Sequence, residues 1–207
     1  LIERGVRNFV VSEEDYKNNV ECRIKNEELS SGEGMPADSS LNFLVVASPL
    51  KALQKLAELH RANFSIPVVG ITGSNGKTIV KEWLHQLLGD DHRIVRSPRS
   101  YNSQIGVPLS VWQMSEDNDL AIFEAGISEP GEMRTLEAIV KPSIGVLTNI
   151  GGAHQENFFS LQEKCMEKLT FFKNCDVLIY NGDDEFICNC VSKSLFSCRE
   201  IAWSRKD

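Results

Sequence analysis

Residues 68–88 read VVGITGSNGKTIVKEWLHQLL, and no other part of the chain limits the fold so strongly. β-Branched residues run into a turn that holds Gly73 and Gly76, and a helical pattern begins at once with Lys77 and Thr78. A buried strand followed directly by a helix needs a crossover back over the sheet, so the next strand lies parallel to the first. The spacing predicts a strand over PVVGIT and a helix over residues 77–88.

The same alternation continues. Strands are predicted at HRIVRS, LAIFEA, SIGVLTNI and DVLIYN, with CREIAW as a sixth. Helices are predicted between them at IGVPLSVWQM, GEMRTLEAIV, SLQEKCMEKLTFF and EFICNCVSKSL. The strands are near-continuous apolar runs, as expected where both faces are covered. The fold class is therefore α/β: a P-loop-type, mostly parallel sheet with helices on both faces. Ligands of such sheets bind at the carboxyl ends of the strands.

Residues 1–65 read differently. GVRNFVVS and LNFLVVAS are short strands, and KNEELSSGEGMPADSS between them is a loop. SPLKALQKLAELHRANF is a helix with Ser48 as N-cap and Pro49 at the first helical position. Two strands and a helix are too little to bury a core. This stretch reads as the remnant of a smaller α/β domain, and residues 66–207 as the main domain.

Gly73, Ser74, Asn75 and Gly76 form a loop whose backbone N–H groups can turn inward, because glycine tolerates positive φ. The helix that starts at Lys77 adds its N-terminal partial positive charge. Lys77 has the reach for β- and γ-phosphates, and the Thr78 hydroxyl is placed to ligate Mg²⁺. The strict phosphate-loop pattern has glycine where this chain has Ile71. The alternative is a glycine-rich turn that only happens to precede Lys-Thr. Strand, helix, lysine and threonine together favour a nucleoside triphosphate, ATP, as the ligand.

Three further clusters end predicted strands. SPRSYNSQIGVP contains Asn102, FEAGISEPGEM begins near Glu124, and LTNIGGAHQENF carries Asn149 and His154. A carboxylate just past a strand end beside a phosphate loop is where a Mg²⁺ ligand belongs. His154 could join it, although Mg²⁺ prefers oxygen. Each residue alone is more often a solvated loop residue.

A formal charge of −7 excludes a general nucleic-acid or anionic-membrane surface. No apolar run approaches bilayer length, and the first residues do not form a signal peptide. Six cysteines, at 22, 165, 175, 188, 190 and 198, make no C-x-x-C pair and read as reduced thiols of a cytoplasmic protein.

GITGSNGKT, SYNSQIGVP, EAGISEPGEM, TNIGGAH, SLQEKCMEKL and NGDD occur here in the order seen in the Mur ligases. The sequence resembles that family strongly over residues 66–184 and weakly before them, and most closely the branch that adds D-alanyl-D-alanine. The resemblance implies an ATP- and Mg²⁺-dependent peptide ligase of peptidoglycan synthesis. Its small-molecule partners would be UDP-MurNAc-tripeptide and D-Ala-D-Ala, joined through an acyl phosphate by a monomer. It implies that Glu124 and His154 hold a second Mg²⁺ and that Asn181 lies near the adenine. Asn102 and Asn149 would position substrate, and Lys168 would be a carbamylated metal ligand, unlike its solvent-facing neighbour Lys164. Residues 1–65 would then be the C-terminal part of the UDP-substrate domain and residues 66–207 the central ATP-binding domain. The family's third domain would be absent, and such a piece alone is expected not to turn over. The alternatives are a folylpolyglutamate-synthase-like ligase, against which SYNSQIGVP argues, and a nucleotide-binding module without chemistry.

Overall fold

The computed structural model describes residues 7–21, 42–152, 157–194 and 196–206. The chain divides into two compact units, Leu1–Leu53 and Gln54–Asp207.

In the smaller unit, β1 (Asn8–Ser12) and β2 (Asn42–Val46) pair in parallel, Phe9 opposite Phe43. Their rings stack at 5.3 Å, with Tyr16 edge-on to Phe43 at 5.6 Å. The Ser12 hydroxyl caps the single turn α1 (Glu13–Asp15), accepting from the Asp15 N–H at 3.0 Å. A π-helical turn follows over Tyr16–Glu21. The predicted loop KNEELSSGEGMPADSS lies outside the described residues.

Helix α2 (Pro49–Arg61) starts as its sequence predicts, the Ser48 hydroxyl accepting from Lys51 N–H at 3.3 Å. The division between units falls inside this helix, whereas the sequence pattern changes near Ser65. The reason is that Ala57 and Arg61 are buried within the larger unit. Arg61 donates to the carbonyls of Val140 and Phe64 at 2.9 and 2.6 Å.

The larger unit is a six-stranded sheet in the order β4-β5-β3-β6-β7-β8. Its strands are β3 (Val68–Thr72), β4 (Ile94–Arg96), β5 (Leu120–Glu124), β6 (Ile144–Leu147), β7 (Val177–Asn181) and β8 (Arg199–Trp203), and every pairing is parallel. Between them run α3 (Lys77–Leu88), α4 (Gly106–Val111), α5 (Glu132–Val140), α6 (Leu161–Leu169) and α7 (Glu185–Lys193). Helix α4 is shorter than the predicted IGVPLSVWQM, and α6 passes into a 3₁₀ turn at Thr170–Phe172.

Strand pleating explains why β3 and β5 are apolar throughout. Val69, Ile71, Leu120 and Ile122 face α3, meeting Val80, Leu84 and Leu88. Val68, Ala121 and Phe123 face the opposite core, built with residues of α4, α5, α6 and α7. The connection after β3 thus leaves toward one face and those after β5 and β6 toward the other. The crevice at such a reversal opens at the carboxyl end of β3.

One sheet detail positions α6. Gly70 of β3 and Gly145 of β6 are paired neighbours. A Cβ on Gly70 would lie 2.7 Å from Phe171, and one on Gly145 would overlap the Phe172 ring. The two glycines leave a slot for both phenylalanines, which are fully buried and anchor the end of α6. We expect Gly145→Ala to destabilise the fold by about 2 kcal/mol or more through overpacking. Urea unfolding of the variant measures this, and an unchanged midpoint would refute the slot.

Candidate functional site

The turn after β3 is held in a conformation that requires glycine. Gly73 has φ +144° and Gly76 φ +81°. A Cβ on Gly73 would collide with the Thr148 hydroxyl and come within 3.0 Å of the Asn149 backbone. The segment after β6 braces the turn. Asn149 accepts from the Ser74 N–H through its carbonyl at 2.8 Å and from the Asn75 N–H through Oδ1 at 2.9 Å. Thr148 Oγ1 donates to Asn75 O at 2.6 Å, and Ser74 Oγ accepts from the Gly151 N–H at 2.8 Å.

This bracing corrects the expected loop. The N–H groups of Ser74 and Asn75 are turned to Asn149, not into the cleft. No side chain caps α3, so the anion-facing donors fall to the start of that helix. Asn149, predicted to position substrate, is here bonded to the loop.

Lysines gather around the turn. Lys77 Nζ donates to the carbonyls of Gly73 and Ser74 at 2.9 and 3.4 Å. Its pKa is lowered by burial, with Lys164 adding to the effect and Glu124 opposing it. Lys168 of α6 is 3 % exposed and lines the same cleft of about 140 Å³ with Gly73, Lys77, Asn102 and Ser128. Burial pushes the Lys168 amine down to about 8, with Lys77 and Lys164 as the next causes.

Lys164 departs from expectation. It is 2 % exposed, not solvent-facing, and donates to Gly151 O at 2.5 Å. The helix turns it four residues before Lys168, onto the same buried face. Two lysines four apart read as a solvated stripe in sequence; the docking of α6 by Phe171 and Phe172 makes that stripe face inward.

Opposite the lysines is an oxygen cluster. Glu124 ends β5 fully buried. Its Oε2 accepts from Thr78 Oγ1 at 3.0 Å and from Asn102 Nδ2 at 3.4 Å. Its Oε1 accepts from Lys81 Nζ at 3.0 Å. The Thr78 hydroxyl is also 3.2 Å from Ser100 Oγ. Among the described residues, no three of His, Cys, Asp and Glu converge on a metal-sized point. The donor set still fits a hard cation. Mg²⁺ takes one or two protein oxygens and completes its shell with water and phosphate oxygens, and Thr78 and Glu124 supply adjacent oxygens beside the glycine turn.

Of the predicted residues, Gly73, Ser74, Asn75, Gly76, Lys77, Thr78, Asn102, Glu124, Asn149 and Lys168 come together at the ends of β3, β5 and β6. His154 lies outside the described residues. Asn181 sits at the same carboxyl edge, at the end of β7, and is not among the residues that line the cleft. Its Oδ1 accepts from Asp183 N–H at 3.0 Å, which makes it a turn former in this structure. The sequence reading overlooked Lys81 and Thr148. Lys81 carries a signal, since it lies one helical turn after Lys77; Thr148 has none until β6 is placed beside β3. Among the described residues, Cys165, Cys175, Cys188, Cys190 and Cys198 are free thiols, and Cys22 lies outside them. Among the described residues, no helix is long and apolar enough to cross a membrane.

Comparison with known proteins agrees with this geometry. The Mur ligase middle domain model matches residues 71–204. The UDP-N-acetylmuramoyl-tripeptide–D-alanyl-D-alanine ligase of Bacillus subtilis is 36% identical over 152 residues, which cover 72% of this chain and 33% of that protein. The ligase of the same name from Borreliella burgdorferi is 36% identical over 187 residues, covering 90% of this chain and 38% of its own. This chain therefore spans between a third and two-fifths of the length of these relatives. Among solved structures, MurF ligase from Thermotoga maritima in complex with ADP superposes with a TM-score of 0.76 at 26% identity, over 99% of this chain and 49% of that one. Because the family model runs from the end of β3 through β8, a span that carries the glycine turn, Glu124 and Lys168, this chain belongs to the Mur ligase family.

Proposed function

We propose that this chain is the ATP-binding part of a ligase that joins D-Ala-D-Ala to UDP-MurNAc-tripeptide in peptidoglycan precursor synthesis. The observation that carries the reading is the cleft itself, where Lys77 and Lys168 face a glycine turn with the buried Glu124–Thr78 oxygen pair beside it. Phosphoryl transfer from ATP to a carboxylate brings two anions together. It calls for cations and fixed donors more than for a protein nucleophile.

In this reading the tripeptide carboxylate attacks the γ-phosphorus of ATP, the bond to the β-phosphate oxygen breaks, and ADP leaves. The amine of D-Ala-D-Ala then attacks the acyl phosphate, loses a proton, and expels inorganic phosphate to leave an amide. Lys77 and the first N–H groups of α3 hold the β- and γ-phosphates and offset the charge that builds there. Asn149 keeps the turn in register through Ser74 and Asn75. Asn102, which lines the cleft, orients the acceptor carboxylate. Thr78 and Glu124 would hold Mg²⁺, which when bound neutralises phosphoryl oxygens. By family register, His154 and a carbamylated Lys168 would complete a second Mg²⁺ site with Glu124, and Asn181 would face the adenine. A reaction that consumes ATP and a UDP-linked precursor belongs in the cytoplasm.

The test is ADP release by the full-length protein. We expect turnover with UDP-MurNAc-tripeptide plus D-Ala-D-Ala and none with a folate plus glutamate. Turnover on the folate pair alone would establish the folylpolyglutamate-type alternative. ATP binding with no ligation of either pair would make the protein a nucleotide-binding module.

A further inference from the structure

Lys81 is fully buried, one turn along α3 from Lys77. Its ammonium donates to Ser97 O at 2.8 Å, to Arg99 O, and to Glu124 Oε1 at 3.0 Å, and lies 3.2 Å from Glu82 Oε1. Arg99, whose carbonyl it meets, has a left-handed backbone, φ +49°, which a side chain other than glycine adopts at a cost. Two carbonyls of the β4 loop and one oxygen of Glu124 thus accept from the ammonium and fix it in place. The other oxygen, Oε2, is left facing Thr78 and Asn102.

A fully buried pair of this kind contributes little stability over apolar residues of the same size. It does control charge. With Lys81 on Oε1, the Glu124 side chain presents a carboxylate whose negative charge is already balanced. A divalent cation approaching Oε2 meets the repulsion of the ammonium on the same carboxyl group, weakly screened because both side chains are 0 % exposed. Additional negative charge must then come from the ligand.

We propose that Lys81 is a positioning residue that keeps Glu124 from holding a divalent cation until a polyphosphate occupies the glycine turn. The proposal rests on the reading of Thr78 and Glu124 as metal ligands. It makes metal and nucleotide binding interdependent through a residue that faces neither directly. It also orients Glu124, since Lys81 holds Oε1 and leaves Oε2 the nearer of the two oxygens to Thr78, 3.0 against 3.3 Å.

Mn²⁺ is the probe, its free concentration read by electron paramagnetic resonance on the full-length protein. Without nucleotide, Lys81→Met should bind Mn²⁺ about tenfold or more tightly than the parent, because an opposing buried charge is removed. The gain should vanish in Lys81→Met/Glu124→Gln. A merely structural role for Lys81 predicts the opposite sign, since a disordered site loses ligands. If Lys81→Met does not fold, the parent protein decides the matter. It should take up no Mn²⁺ without nucleotide at concentrations that fill the complex with a non-hydrolysable ATP analogue. Nucleotide-free Mn²⁺ binding that Glu124→Gln abolishes would overturn the proposal, as would unchanged or weaker binding by folded Lys81→Met. With the analogue bound, Glu124→Gln should release Mn²⁺. Failure of that arm alone would reject Glu124 as a metal ligand, and the Lys81 coupling with it.

Discussion

Lys77→Ala is expected to weaken ATP-Mg²⁺ binding about a hundredfold, the loss of roughly two charge-assisted hydrogen bonds, while the fold persists. The Lys77 ammonium donates to the Gly73 and Ser74 carbonyls. These are loop oxygens, not core partners, and the turn keeps its shape through hydrogen bonds to Thr148, Asn149 and Gly151 that do not involve the Lys77 side chain. Burial already lowers its pKa, so the folded chain gives up little when this ammonium is removed. Calorimetric titration of the full-length variant with ATP-Mg²⁺, beside a thermal melt, separates the two effects. Unchanged affinity would remove the glycine turn from the nucleotide site. Loss of the melting transition would mean that Lys77 holds the loop together instead.

The second large effect is expected at Lys168, where alanine should lower kcat by about 10²–10³-fold, the size seen when one electrostatic group is removed from an active site. ATP affinity should change far less. The physical basis is the state of the amine. Burial first, then Lys77 and Lys164, bring Lys168 down to about 8, with Cys165 and Glu167 opposing. Roughly one amine in ten is then neutral at pH 7, against about one in three thousand for an ordinary lysine. Only the neutral amine captures CO₂, forming an N–C bond and releasing a proton, and the product is an anionic oxygen ligand of the kind Mg²⁺ accepts. Carbamylation should therefore increase as pH rises through 8, which ¹³C-labelled CO₂ and nuclear magnetic resonance would follow. Stability runs in the same direction. The folded pKa lies below the unfolded one, so between about pH 8 and 10.5 the unfolded chain binds more protons and the fold gains stability as pH rises. Short carboxylic acids should restore part of the activity of Lys168→Ala. Full activity without them would leave Lys168 no role beyond packing.

The chain order alone determined the strands, the helices, the parallel sheet and the glycine turn. Those depend on local signals: runs of buried β-branched residues, a helical stripe, and glycines at positions 73 and 76 where the backbone enters positive φ. CREIAW, the sixth predicted strand, forms β8 at the sheet edge. Glu124 and Thr78 were also legible, because strand ends and helix starts of a parallel sheet share one edge, which brings together residues far apart in sequence; Lys168 was marked only by the family resemblance, since its charge pattern is that of an exposed helix lysine. Other features depend on which strands become neighbours and which way a helix rolls, and no local signal encodes either. Thr148 and Asn149 reach the turn only because β6 lies beside β3, and that placement takes the Ser74 and Asn75 N–H groups out of the cleft. Lys164 is a surface lysine by charge pattern. It becomes a buried one because Phe171 and Phe172 drop into the slot left by Gly70 and Gly145 and fix the roll of α6. Lys81 is an ordinary helix lysine in sequence. Only when β4 and β5 pair do Ser97, Arg99 and Glu124 surround its ammonium. Local propensity reads a few residues at a time; burying a charge takes partners from separate segments, and only the folded sheet brings those together.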